Sequence, residues 1–256
     1  QEGAVYRLFA NGLGSSQTNS IAPSGSPGSE FITYFHHDPD NPATIYYAGL
    51  NTLWRTTSAT TASAAGGWTQ MTGVSNLVGV GNSIFALATS RGNYASNSSY
   101  LFIGTDNGKI YRLQNPKDGA ASTAPVDISP LSFLGMTAQS LVRDIAVNPR
   151  NPDTVLAVVS NYGVVSAFWT GNALSASPTW EVAEGNISLP SFRSCAIVAT
   201  ATGVEYYVGT SIGLFSTTTI NGSASPVWAL EGPSVLQGAI VNDLALRPAD
   251  NTLLIG

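Results

Sequence analysis

Four apolar runs punctuate the chain at similar intervals: Ile45-Tyr-Tyr-Ala-Gly49, Leu101-Phe-Ile-Gly-Thr105, Val155-Leu-Ala-Val-Val-Ser160 and Tyr206-Tyr-Val-Gly-Thr210. Runs of this length, bounded by turn residues, predict buried strands. Each is followed by a short polar or glycine-containing turn, at 50–52, 106–108, 161–163 and 211–213. A further strand then opens on an apolar or aromatic residue, at Leu53-Trp-Arg55, Ile110-Tyr-Arg112, Val164-Val-Ser166 and Leu214-Phe-Ser216. Trp68, Trp180 and Trp228 come 13 to 15 residues after the centres of three of these strands, and the second copy has Pro125 and Val126 there instead.

A second pattern precedes each apolar run. Residues 32–42, 142–152 and 241–251 align on a strand that leads into a proline turn, and Pro39, Pro149 and Pro248 lie 110 and 99 residues apart. Those gaps are twice a period of about 50 residues, the spacing of four-stranded propeller blades. A β-solenoid has shorter coils, and a sandwich does not repeat at this interval. The fold class expected is therefore all-β: a β-propeller of four-stranded antiparallel blades over 31–73, 77–129, 138–183 and 191–230. Residues 239–256 supply the first half of a further blade and residues 4–20 the second half. Either the two halves complete a five-bladed ring, or the chain is part of a larger propeller or assembly.

Composition supports this picture. Only 10% of residues are charged and 43% are hydrophobic, with 26 glycines. A helical protein of this size carries more Glu, Lys and Arg. The net charge of −5 leaves no basic stripe for phosphates, so no nucleic-acid partner is expected. No apolar run reaches the ~18 residues of a membrane helix. Cys195 is the only cysteine, sits in an apolar run, and is expected to be a buried strand residue. Low charge with abundant Ser, Thr and Asn fits an extracellular or cell-surface location. Gln1 either follows a removed leader or marks a cut in a larger chain.

The repeat resembles the sortilin/xyloglucanase group of propellers, related to the Asp-box repeats of sialidases. Asp144-Ile-Ala-Val-Asn-Pro-Arg-Asn-Pro152 matches the group's first strand and turn, and Tyr207-Val-Gly-Thr-Ser-Ile-Gly-Leu-Phe-Ser216 its second and third strands. Leu53-Trp-Arg-Thr-Thr57 and Gly66-Gly-Trp68 resemble its last element over a longer loop. The resemblance covers nearly the whole chain and implies a propeller, not an activity. The Asp that caps the Asp-box turn is missing before Trp68, Trp180 and Trp228. The boxes are degraded.

A glycosidase of this group would need two facing carboxyl groups, about 5 Å apart for retention or about 6.5–9.5 Å for inversion. Asp144 and Asp243 are the best pair, yet they occupy the same position in two blades, which points to a repeated structural job. Asp106 falls in an Asp-Asn-Gly hairpin turn, where these residue types are expected for backbone reasons. A sialidase would need three arginines around a carboxylate, but Arg7, Arg55 and Arg112 fall at matching repeat positions and read as solvent-facing. His36 and His37 alternate faces along a strand, so no shared metal site is expected. Asp38 and Asp40 could offer oxygens to Ca²⁺, but the aligned turns carry Arg150 and Arg247. No cofactor motif is present.

Tyr46, Tyr47, Tyr94, Tyr100, Tyr162, Phe168 and Trp169 are the aromatic candidates for recognition. Most belong in the core between blades. Tyr94 and Tyr162, in loop-like surroundings, are the expected ligand-binding residues. Asn97, Asn186 and Asn221 open N-glycosylation sequons. The sequence thus points to a non-catalytic extracellular propeller that binds a protein partner or a surface polysaccharide. A β-glucan or xyloglucan hydrolase with part of its site elsewhere, and a repeat of a giant adhesin or filament subunit, are the alternatives.

Overall fold

The computed structural model describes residues 3–10, 14–17, 20–92, 98–187, 190–220, 225–247 and 249–256. Among them the strands form four four-stranded antiparallel sheets and two two-stranded ones, each ordered as in the chain. The first sheet comprises Phe35–His37, Ile45–Gly49, Thr52–Thr56 and Thr69–Gln70. The second comprises Ile84–Thr89, Tyr100–Thr105, Ile110–Gln114 and Val126–Asp127. The third comprises Val142–Val147, Val155–Val159, Ala167–Thr170 and Trp180–Val182. The fourth comprises Phe192–Ala199, Val204–Thr210, Gly213–Thr217 and Ala229–Leu230. Leu8–Ala10 pairs with Ser15–Gln17 before them, and Leu244–Arg247 pairs with Thr252–Ile255 after them.

First strands of successive sheets pack side by side, so each sheet is a blade with its opening strand innermost. The architecture is that of a β-propeller. Its core is a series of layers between neighbouring blades, not one central mass. Phe102, Ile110, Val142, Val155 and Phe168 fill the layer between the second and third blades. Leu156, Val158, Phe192, Ile197 and Val208 fill the next, and Val5 and Ile21 pack with Tyr47 against the first blade. Second strands bury both faces, which is why they read as continuous apolar runs.

Two expectations need correction, and one element was not expected. The third strand of the third blade spans Ala167–Thr170, not 164–166. Wholly buried Phe168 sets that register opposite Ala157, and Gly163 (φ 72°) takes the turn before it. A short helix, Thr72–Val78, interrupts the all-β pattern after the first blade. Its Val74 and Val78 fill the layer between the first and second blades, and Gly73 N bonds Ala121 O. A side chain at Gly73 would collide with Thr123 O at 2.1 Å.

The second correction concerns Arg7, Arg55 and Arg112, which are partly buried rather than solvent-facing. Arg55 Nη1 donates to Pro116 O and Gly119 O at 2.8 and 3.0 Å. Arg112 donates to Ala173 O and Ser175 O, and Arg7 to Ala59 O and Ala62 O. In each case the arginine of one blade clamps the outer loop of the following blade. The tryptophans bond in the other direction: Trp68 Nε1 reaches Ile21 O, Trp180 Nε1 reaches Ile128 O, and Trp228 Nε1 reaches Ala183 O, at 2.5–2.9 Å. The second blade lacks the tryptophan, and there the helix spans the gap.

Candidate functional site at the channel mouth

The inner strands of the five consecutive blades and half-blades surround a cavity of about 710 Å³. At its upper end three of the inner strands begin with an apolar anchor, Ile84, Val142 or Phe192, paired to the second strand. The next residue is an extra one, skipped by the pairing register: Phe85, Arg143 and Arg193. A β-bulge leaves such a residue out of the ladder and re-aims its side chain. All three line the cavity, and Asn242 lines it from the aligned place just before the fifth inner strand.

Arg143 donates from Nη1 to the Tyr34 hydroxyl two blades away and stacks over that ring, 5.5 Å from its centroid. Tyr34 also packs against Phe85, with ring centres 5.1 Å apart. Arg193 Nη1 donates to Asn242 Oδ1 at 3.0 Å. Tyr162, 68% exposed, occupies the turn above the third blade. The neighbouring Ser211 and Arg193 side chains lower its phenol pKa. The expected ligand-binding Tyr162 therefore stands beside Arg193. Tyr94 lies outside the described residues, as do Asn97 and Asn221.

Asp144 and Asp243 both line the cavity one residue past the bulge positions. The Asp144 carboxylate accepts from Ile145 N and from Cys195 N of the next blade, each at 2.8 Å. It thereby joins two inner strands across a blade interface. Burial pushes its pKa up to about 6 against the opposing amide bonds, and the charge of Asp243 adds to the rise. Asp243, at the aligned position just before the last inner strand, is exposed. Cys195 is buried, and burial beside Asp144 raises its thiol pKa.

The lower end is closed differently. Arg91 forms a bidentate pair with Asp40 (2.9 and 2.5 Å), and Asp40 also accepts from Gly92 N. His36 Nε2 bonds Thr89 Oγ1, and burial lowers its pKa to about 4. His37 Nε2 bonds Pro42 O. Asp38 Oδ1 accepts from Asp40 N and Asn41 N, while Asn148 Oδ1 accepts from Arg150 N in the aligned turn. No group of three or more metal-ligating side chains occurs among the described residues.

Of the aromatic candidates, Tyr46, Tyr47 and Phe168 belong to the core. Asp106 accepts from Ser83 N and so closes its hairpin onto the second blade's inner strand. The arginines of the mouth went unnoticed in sequence, although Arg143 and Asn242 stand in one column of the aligned repeats and Arg193 follows the same apolar step.

No protein-family model matches the chain, and no curated protein matches it. Solved structures do. The Cps50 (Swd1) β-propeller domain of Myceliophteria thermophila is similar with a TM-score of 0.57 and 14% identity, over 88% of this chain and 61% of that one. A chain of the COPII outer coat vertex on membranes gives 0.59 at 12% identity, over 100% and 62%. An ancestral GH74 enzyme gives 0.60 at 13% identity, over 99% and 35%. The likenesses establish the propeller fold, and this chain spans less than two thirds of each of these neighbours.

Proposed function

We propose that the chain is a non-catalytic binding or scaffold propeller of sortilin/xyloglucanase type, acting outside the cell and engaging a protein or surface polysaccharide at its channel mouth. The observation that carries this reading is the state of Asp144: both carboxylate oxygens are held by backbone amides of two blades. A general acid must reach the glycosidic oxygen, and this carboxyl is committed to fastening the fold. The bulged Arg143 and Arg193, with Tyr162 beside them, give the mouth recognition chemistry without a paired acid and base. The motif over 144–152 supports the lineage, and low charge supports the location.

The test is a reducing-end assay of wild type and Asp144→Asn on xyloglucan and mixed-linkage β-glucan. Neither protein should release ends above background. Release by wild type, lost in a folded Asp144→Asn variant, would establish the hydrolase reading instead.

A further inference from the structure

We infer that the channel mouth recognises an acidic sugar, with a uronate carboxylate held between Arg143 and Arg193. This inference rests on the binding-module reading above and names the ligand class of the same site. The two guanidinium groups sit at the same bulge position of adjacent blades and line one cavity. Neither has a carboxylate within ion-pair distance among the described residues. Their side-chain bonds go instead to neutral groups: Tyr34 Oη for Arg143 and Asn242 Oδ1 for Arg193. Arg193 Nε is covered and lacks an acceptor among the described residues. A guanidinium carries five N–H donors, so both retain donors that one carboxylate can take in the forked geometry these groups favour.

The contrast with the rest of the chain is informative. Arg91, in the same cavity, is neutralised by Asp40. Arg55 and Arg112 spend their donors on pairs of backbone carbonyls. Arg143 and Arg193 are held by single neutral side-chain oxygens, which position a guanidinium without neutralising it.

What surrounds them favours a sugar over an acidic peptide. Tyr34 and Phe85 form an aromatic wall beside Arg143, and Tyr162 offers a second, exposed ring. Sugar rings present apolar faces to such surfaces while their hydroxyls seek acceptors. Asn242 and exposed Asp243 supply acceptors at the mouth. The Asp243 carboxylate would repel a run of glutamates, yet it accepts from the hydroxyls of a ring bearing a single carboxylate.

The experiment is a calorimetric titration of the chain with oligogalacturonate, its methyl ester, a cello-oligosaccharide and an oligoglutamate, with reducing ends measured in the same samples. Oligogalacturonate should bind, and esterification of the ligand should weaken binding about tenfold or more, a comparison made on the unaltered protein. Arg143→Gln and Arg193→Gln should each weaken it about ten- to a hundredfold. Arg150→Gln, on the opposite face, should leave it unchanged. Equal binding of acid and ester, or no binding of the acid, would overturn the inference, and tighter binding of oligoglutamate would overturn the choice of sugar. Release of reducing ends would overturn the non-catalytic reading, whereas absent binding without release would overturn this inference alone.

Discussion

Two partly buried titratable side chains set opposing pH dependences. Asp144 titrates at about 6 in the fold against 3.8 in a free chain. Between about pH 4 and 6 the unfolded chain gives up this proton while the folded one keeps it, so its contribution to stability falls as pH rises through that window. His36 titrates at about 4 in the fold against 6.5. Over that interval the unfolded chain takes up a proton that the fold refuses, so stability falls as pH drops. Urea midpoints measured at pH 4 and pH 7 separate the two. Relative to wild type, Asp144→Asn should gain stability as pH rises from 4 to 7, because it sheds the buried charge while keeping one acceptor. His36→Gln should lose less than wild type on acidification. A constant offset between Asp144→Asn and wild type across this range would contradict the role assigned to Asp144.

The blade elements depend on side chains that reach backbone atoms of their neighbours. Arg112 is partly buried and donates to two carbonyls of the third blade's outer loop. Arg112→Met keeps the stem and removes those bonds, which should cost about 1–3 kcal/mol by chemical denaturation. Arg150→Met, exposed and with one long bond to Gly203 O at 3.3 Å, should cost less than about 0.5 kcal/mol. Equal losses would mean that the clamps do not hold the blades. The strands themselves were legible, because buried second strands such as Val155–Val159 must be apolar on both faces and glycine turns must follow them. The clamps were not, since a carbonyl acceptor has no residue signature. The helix Thr72–Val78 was hidden by its glycine and two valines, poor helix formers that only the inter-blade layer holds in place. The bulges were invisible for a related reason. Register is a property of two strands, so Phe85, Arg143 and Arg193 looked like ordinary alternating positions until their partners were known.

At the scale of the molecule, the layered core makes stability a sum of neighbour contacts, as in other repeat proteins. Function, by contrast, needs all the inner strands together. Arg143, Arg193, Asn242, Tyr34 and Phe85 come from five different blades or half-blades, and only the radial arrangement brings them to one mouth. The central claim is that recognition occurs there. Amide hydrogen exchange with and without saturating oligogalacturonate tests this directly. The account predicts added protection near residues 33–35, 85–86, 142–145, 161–163, 192–195 and 241–244, with the turns at 38–42 and 148–152 unchanged. Protection confined to those lower turns, or to the outer strands, would place recognition elsewhere and contradict the account.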